Sequence, residues 1–334
     1  MKVEKLEGEI REGRGVVGLA AVKTRNPEMD KEPPVPGRPG IELSFFWPLH
    51  ACDARLLPSL LDEFAEAGAD GLCMNPEQMV DMACNAGAVL RWKKLLADSG
   101  MRFNDAHARY GQLDCLNCPV PECVPHMLHL HEQSLRLCRE FGVPTCTFHL
   151  GRHSEWSRDA DALHANVLRA LEKLLPVAEE CRTAICIENL WDPTDSPERL
   201  ADAVERFRSP WLGVCWDSGH AQLTRGDAPD VPGQPWRESW KAFGFDRPEP
   251  GDGALARLLP HVVNCHLHVN DLASDRHWPV DDPRGRTDWA SEMPLLLSAP
   301  RLLRIQNEAS PNAECHFTVR RHVRSLQTLC RTGA

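Results

Sequence analysis

Short apolar, strand-like runs recur eight times between residues 42 and 308, and amphipathic segments separate them. The predicted strands are Glu42–Phe46, Gly71–Met74, Arg102–His107, Thr145–His149, Ala184–Glu188, Leu212–Asp217, Val262–His268 and Leu302–Glu308. Strands that alternate with helices form a parallel sheet. Eight such units favour closure into a barrel over an open doubly wound sheet. The sequence therefore predicts an α/β fold, a single (β/α)8 TIM barrel.

Three of the segments between the strands have clear helical periodicity. Ala54–Glu66 places leucine and phenylalanine on one face and precedes Gly68, a residue suited to a helix C-cap. Val124–Phe141 ends before Gly142, and Ala160–Glu180 carries leucine and valine at helical spacing. No Gly-rich dinucleotide or P-loop fingerprint follows any predicted strand.

Two other segments do not follow this alternation. Residues 1–40 end in the proline-rich run 33–40, which can continue neither a helix nor a central strand, so we expect an N-terminal extension before a barrel over 41–334. The connection 224–253 is rich in Pro, Gly and Asp and contains four aromatic residues. A connection of this length is commonly functional. It is interpreted as a lid or a dimer contact, which leaves a homo-oligomer open.

Charge and composition restrict the function. The formal net charge of -10 argues against non-specific nucleic-acid binding, which needs Lys and Arg to neutralise phosphates. No apolar run approaches the ~18 residues of a membrane span, and the N-terminus has no apolar signal region. We therefore expect a cytoplasmic protein that binds neither membrane nor nucleic acid, whose fourteen cysteines are free thiols.

Metal-ligand chemistry stands at the ends of four successive strands. Strands five to eight end in Glu188, Asp217, His268 and Glu308. In a parallel barrel the C-terminal ends of the strands meet at one face, where the active site is built. Carboxylate oxygens and imidazole nitrogens on rigid elements suit a hard or borderline divalent metal. The pattern predicts that these four residues bind one divalent ion, such as Mn, Mg, Zn or Co.

Further polar groups surround this set. Strand ends and the following loops carry four candidates for contact with substrate or metal, namely His107, His149, His220 and His277. Trp47, at the end of strand one, is interpreted either as an apolar wall for the substrate or as barrel filling. His266 alternates with the predicted ligand at 268 and points to the same side of the strand. Because His266 lies one layer deeper, we expect a structural role for it.

A cysteine-rich loop offers a separate candidate. Cys115, Cys118, Cys123 and His126 have spacing that could suit a structural zinc ion. The usual second half of a zinc motif is absent, and the loop is rich in proline. The sequence favours reduced thiols here and leaves zinc as the alternative.

From about residue 41 to 310 the chain resembles the xylose isomerase-like TIM barrel superfamily, which includes sugar isomerases, epimerases and the endonuclease IV branch. The motifs that carry this resemblance are Asp105-Ala106-His107, Phe148-His149-Leu150-Gly151, Ile187-Glu188-Asn189, Asp217-Ser218-Gly219-His220-Ala221, His266-Leu267-His268, Asp275-Arg276-His277 and Asn307-Glu308. Together these motifs are specific for the superfamily but separate its branches poorly.

In the sugar-isomerising members, positions that match Glu188, Asp217, His268 and Glu308 hold one divalent metal. The two glutamates flank the substrate and move the proton. The resemblance thus implies a metal-dependent isomerase or epimerase of a small sugar or related polyhydroxylated carbonyl compound, with Glu188 and Glu308 as catalytic residues.

The resemblance also implies an alternative. In the endonuclease IV branch, nine matching positions hold three zinc ions that cleave DNA at abasic sites. All nine residue types are present here, at His107, His149, Glu188, Asp217, His220, His268, Asp275, His277 and Glu308. A non-catalytic metal-containing barrel is the third possibility, because a fold alone does not establish activity. The acidic charge favours a small neutral substrate over a polyanion.

Overall fold

The computed structural model describes residues 40–111, 113–151, 156–224, 235–245, 253–311, 315 and 317–332. The predicted N-terminal extension therefore lies outside the described residues, apart from Gly40. The eight strands are β1 (Glu42–Phe45), β2 (Gly71–Met74), β3 (Phe103–Ala106), β4 (Thr145–Phe148), β5 (Ala184–Glu188), β6 (Leu212–Asp217), β7 (Val262–Leu267) and β8 (Arg304–Asn307).

The eight strands form one parallel sheet in the order β3-β2-β1-β8-β7-β6-β5-β4. The two outer strands meet through a parallel bridge between His107 and Thr147. One layer below, the Thr145 hydroxyl donates to the buried Asp105 carboxylate at 2.8 Å. The sheet thus closes into a nearly complete barrel, and the predicted (β/α)8 fold is confirmed.

Helices cover the outside of the barrel, usually one between consecutive strands. They are α1 (Leu57–Ala67), α2 (Pro76–Cys84), α3 (Ala86–Ser99), α4 (Val124–Phe141), α5 (Ala160–Cys181), α6 (Pro197–Phe207), α7 (Ser218–Leu223), α8 (Pro235–Ala242), α9 (Ala254–Leu258), α10 (Trp289–Leu297) and α11 (Val319–Thr332). Short 3-10 turns occur at Leu49–Ala51, Pro193–Asp195 and Leu259–His261. No helix in the described segments is both long and apolar enough to cross a lipid bilayer.

The strand ends decide where the functional side chains lie. Strands β2, β5 and β6 have the predicted bounds, whereas the others are one to three residues shorter. His107, His149, His268 and Glu308 each come directly after a strand instead of ending it. At these positions the chain is leaving the ladder and turning into the loops of the C-terminal face. All four side chains therefore lie at the barrel mouth.

The cysteine-rich loop before α4 does not form a group of converging ligand atoms. Such groups in the described segments include none of Cys115, Cys118, Cys123 and His126. The Cys115 sulfur accepts from the Gly111 N–H at 3.2 Å, and the Cys118 thiol lies 3.6 Å from the Val120 carbonyl. Burial raises the pKa of Cys118. These contacts are those of free thiols packed against backbone.

Because of two buried histidines, we expect acid to lower the free energy of unfolding. Burial lowers the pKa of His131, on α4, to about 4 and that of His322, on α11, to about 3. The unfolded chain binds these protons near pH 6.5, whereas the folded protein keeps both rings neutral. The free energy of unfolding should therefore fall as pH drops below ~6.5, by about 1.4 kcal/mol per pH unit for each histidine.

Urea denaturation between pH 7 and pH 5 measures this slope. His131→Gln should flatten the slope, because it removes one of the two titrating rings. The glutamine amide can still donate to the Asp114 carbonyl, which lies 2.8 Å from the histidine Nε2, so the buried hydrogen bond is kept. His129 is exposed on the same helix, so His129→Gln is the matched control and should leave the slope unchanged. Equal slopes for wild type and His131→Gln would show that this histidine does not carry the effect.

Candidate active site

Buried carboxylates from three strands converge at the C-terminal end of the barrel. Glu188 ends β5, Asp217 ends β6 and Glu308 follows β8, and these carboxylates are buried. One atom from each of these side chains and one ring nitrogen of His266, on β7, lie within 4.8 Å of one another. Three acidic groups and an imidazole in so small a buried space form a candidate metal centre.

Local hydrogen bonds fix the position of Asp217. Its Oδ1 accepts from the His220 N–H at 2.6 Å, so the carboxylate also caps the N-terminus of α7. The Asn189 side chain donates to the Asp217 carbonyl at 2.9 Å and accepts from the Asp217 N–H at 2.8 Å. This amide clamps β5 to β6 beside the site.

His268 lies against α7, and the contact requires a glycine. A Cβ placed on Gly219 would lie 1.9 Å from Cε1 of the His268 ring. The ring stacks on His277 with centroids 3.9 Å apart, and its Nε2 lies 3.2 Å from Asp217 Oδ1. Any side chain at position 219 would thus displace the predicted ligand His268.

His266 contacts both candidate catalytic glutamates, which goes beyond the structural role expected for it. Its Nδ1 lies 3.0 Å from Glu188 Oε1 and 3.2 Å from Glu308 Oε2. On its other side, Nε2 lies 3.2 Å from the Thr147 hydroxyl. His266 therefore joins the compact four-residue group, whereas His268 belongs to a neighbouring group.

The four remaining predicted histidines lie in two flanking groups. His107 and His149 approach Glu188, with Nε2 at 3.5 and 2.8 Å from Oε2. On the opposite side, His277 Nε2 lies 3.0 Å from an Asp275 oxygen and His220 Nε2 lies 3.6 Å from the same oxygen. The second flanking group consists of His220, His268, Asp275 and His277. The structure thus brings all four histidines to the centre.

Trp47 has different neighbours. Its ring contacts Phe64 of α1, with centroids 5.5 Å apart, and Phe317 and His322 at 5.3 and 5.8 Å. These residues belong to the aromatic packing between β1 and the outer helices. Its observed contacts are with these rings, which fits the barrel-filling interpretation better than a substrate wall.

Tyr110 is a site residue that sequence reasoning missed. It is the one tyrosine of the chain, and its ring stacks on His149 with centroids 4.3 Å apart. Partial burial, together with the negative charge of Glu308, raises the pKa of Tyr110 to about 12. The half-exposed ring therefore offers a hydroxyl that stays protonated. Its position three residues after His107 was the available sequence signal.

The electrostatics of the centre keep Glu188 and Glu308 ionised. Burial alone would raise the pKa of Glu188 and of Glu308, but the neighbouring histidines together, His266 first among them, hold the pKa of both below its usual range. Burial would likewise lower the pKa of His277, whereas the neighbouring Asp275 raises it to about 9. The site thus presents negative oxygens balanced by positive charge.

Buried polar atoms without a well-formed hydrogen bond make the site suitable for a cation. The buried atoms of the described segments that have no hydrogen bond of acceptable geometry include Glu188 Oε2, Asp217 Oδ2, His268 Nε2 and Glu308 Oε2. Buried polar groups without partners are costly, and buried charges are normally paired or coordinate metals. One such atom comes from each of the four predicted ligands, so this donor set suits a divalent ion.

Comparison with known proteins places the chain in a family. Residues 61–299 match the sequence profile described as xylose isomerase-like TIM barrel. The chain belongs to this family. A Sinorhizobium fredii relative, itself uncharacterised, is 23% identical over 270 residues, which cover 73% of this chain and 78% of the relative.

Several solved structures share the fold. A D-tagatose 3-epimerase-like protein aligns with a TM-score of 0.65 and 15% identity, covering 87% of this chain and 96% of the other. The 3-keto-D-glucoside 4-epimerase of E. coli aligns at 0.60 and 14%, covering 88% and 100%. A Thermus thermophilus protein whose crystal was soaked with zinc chloride aligns at 0.58 and 20%, covering 88% and 100%. At these identities the likeness shows the fold alone.

Proposed function

We propose that this protein is a metal-dependent isomerase or epimerase of a small sugar or a related polyhydroxylated carbonyl compound. The observation that carries the proposal is the pairing of Glu188 and Glu308 at the barrel mouth. These buried, ionised carboxylates come from β5 and β8, and one imidazole nitrogen lies within 3.2 Å of both. Two bases held on rigid elements are what a proton transfer between two faces of a carbon needs.

The metal and the glutamates have separate tasks in this proposal. Glu188, Asp217, His268 and Glu308 would hold one divalent ion, which when bound polarises the substrate carbonyl and its neighbouring hydroxyl. Glu308 removes the proton from the carbon beside the carbonyl on one face, and Glu188 delivers to the other face a proton that it has taken up from solvent. Return of the proton to the same face gives exchange without net reaction, and delivery to the opposite face inverts the carbon.

The flanking groups would bind the substrate hydroxyls. The two glutamates are surrounded by ring nitrogens that can donate or accept hydrogen bonds, from His107, His149, His220 and His277. The Tyr110 ring covers His149 and adds a protonated hydroxyl at the rim. This lining suits a small neutral polyol. The epimerases among the solved structures of the same fold support this substrate class.

Solvent-exchange measurements test the reaction. The protein is incubated in D2O with Mn²⁺ or Mg²⁺ and a panel of ketoses and aldoses, and deuterium at the carbon beside the carbonyl is followed by NMR. We expect incorporation with at least one sugar and none after metal removal by a chelator. Absence of exchange with every sugar of the panel would contradict the proposal.

A second function, phosphodiester cleavage by several zinc ions, is favoured by one specific observation. Five groups of converging ligand atoms occur among the described residues, and three of them together include all nine residues that match the zinc-binding positions, with His266 in addition. The first contains His107, His149 and Glu188, the second is the four-residue group, and the third contains His220, His268, Asp275 and His277. Nicking of abasic-site DNA by the zinc-loaded protein, together with no sugar exchange, would favour this function.

A further inference from the structure

A cavity of about 260 Å³ lies beside the candidate active site, and its lining includes Asn189, which follows Glu188, and Ala221, which follows His220. Its walls come from the segment after β5 and the start of α6, from β6 and α7, and from α8 and α9. Glu198, Gly253 and Arg257 at its edge are exposed, whereas Asn189 and Trp216 are buried. The cavity therefore reaches from the protein surface inward to the residue that follows Glu188.

The long connection after β6 builds one wall of this cavity. Its helix α8 places the Trp240 ring, only 5% exposed, in the lining. The Trp240 Nε1 donates to the Trp191 carbonyl, and the Ser239 hydroxyl donates to the Asp192 carboxylate. Helix α8 is thus fixed on the segment after β5. This contact gives part of the connection a definite place next to the site.

The lining combines broad apolar faces with polar edges. Three indole rings, from Trp191, Trp216 and Trp240, contribute to it. Indole faces suit the apolar C–H faces of a ring-shaped ligand, and the surrounding amide, hydroxyl and carboxylate groups suit its hydroxyls. Pockets for drug-sized ligands occupy ~300–1,000 Å³. A cavity slightly below that range fits a ligand of one ring.

The charge of the lining disfavours an anion. Asp192 and Glu198 are its acidic members, and Arg257 is its one basic side chain among the lining residues. The Arg257 guanidinium lies 3.0 Å from Glu198 Oε1, so its charge is already balanced. A phosphate or carboxylate ligand would meet a net negative surface. The preferred ligand is neutral.

The cavity shares residues with the candidate active site. The ring of Trp191 contacts that of His220 edge-on, with centroids 4.9 Å apart. Asn189 lines the cavity and makes two hydrogen bonds to the backbone of Asp217. A ligand against these two residues touches the back of the loops that carry the metal centre.

We propose that this cavity binds a single neutral, hydroxylated ring, either a free monosaccharide or one glycosyl unit of a larger substrate. The inference rests on the proposed function for the choice of a sugar, and on the cavity itself for size, charge and stacking. Trp240 is its stacking residue, and the ligand enters from the exposed edge near Glu198, Gly253 and Arg257.

Isothermal titration of the metal-loaded, full-length protein tests the site. The probes are D-glucose, D-fructose, methyl β-D-glucoside, maltose and glucose 6-phosphate. We expect at least one neutral sugar to bind, and Trp240→Leu to weaken that binding about 10-fold, the effect of one lost aromatic contact. Glucose 6-phosphate should bind more weakly than glucose. Trp211 precedes β6 at the opposite end of the strand, so Trp211→Leu is the matched control.

A second variant protects the test against misfolding at position 240. Ala254 lines the cavity and is buried, so Ala254→Leu should fill the space and reduce sugar binding without removing a tryptophan. Binding that neither Trp240→Leu nor Ala254→Leu changes would overturn the proposal, as would the absence of binding by every neutral probe or tighter binding of the phosphate.

Two further measurements are needed. One distinguishes a free monosaccharide from a glycosyl unit of the substrate, and the other distinguishes the cavity proposal from the proposed reaction. A free monosaccharide should bind the cavity equally well in Glu308→Gln protein, whereas a glycosyl unit of the substrate should lose affinity in both Glu308→Gln and Trp240→Leu. Cavity binding without deuterium exchange in any sugar would reject the proposed reaction and keep the cavity. Exchange without Trp240-dependent binding would reject the cavity alone.

Discussion

Replacing Glu308 with Gln should reduce deuterium exchange beside the substrate carbonyl by roughly 10²–10⁴-fold, the usual contribution of one general acid or base. The substitution keeps the shape of a buried side chain that lies 3.2 Å from His266 Nδ1. It removes the negative charge that accepts the proton and helps to hold the ion. NMR exchange rates under saturating metal measure the loss.

The control must separate chemistry from folding. Glu140→Gln removes a carboxylate of the same type from the exposed surface of α4, where it pairs only with Lys93 in the described contacts. That variant should exchange deuterium like wild type, and circular dichroism should show both variants folded. A Glu308→Gln protein that keeps the wild-type exchange rate at saturating metal would rule out this glutamate as a catalytic base.

The barrel could be predicted because its signal is local and repeated. The strands are short and mostly buried, and the six strands β3 to β8 each end at or just before a histidine, aspartate or glutamate. The bounds of Gly71–Met74, Ala184–Glu188 and Leu212–Asp217 needed no tertiary information. Parallel strands in a barrel then bring their C-terminal ends together whatever the loops do. The convergence of Glu188, Asp217 and Glu308 follows from that geometry.

What the sequence did not reveal depends on contacts between distant elements. The alternation of His266 with His268 places both rings on one side of β7, but only the packing of β5 and β8 around that strand brings one nitrogen to two glutamates. Tyr110 follows a strand end like many loop residues, and its importance comes from stacking on His149, from the next strand.

Trp47 and Trp240 show that the sequence also does not predict where a single aromatic side chain packs. A tryptophan at a strand end can point into the mouth or toward the helices, and the sequence alone gives no preference. In the structure Trp47 packs on Phe64 and His322, and Trp240 packs beside the segment after β5. In both cases the position of the indole ring is determined by residues that are distant in the sequence.

Metal content decides between one ion and three, and Asp217→Asn is the most informative substitution. An asparagine can still cap α7, so the helix should remain intact. The charged ligand is lost, however, and metal affinity should fall by more than the ~10–100-fold typical of groups that merely orient ligands. Elemental analysis and metal titration of the purified protein measure both quantities.

We expect about one ion per chain in the wild type, as a mononuclear ligand set with one donor from each of four strands requires. Asp217→Asn should lose it, whereas His277→Gln should keep it, because His277 hydrogen-bonds to the Asp275 carboxylate and to the backbone carbonyl of Glu308, and to no ligand atom of the four predicted ligands. Asp62→Asn, on the exposed face of α1, is the matched control for the loss of a carboxylate.

A measured content of three ions per chain, reduced in His277→Gln, would instead mean that all three ligand groups are filled. A filled third group would place a cation among the histidines assigned here to substrate hydroxyls, and phosphodiester cleavage would then be the better account of the site.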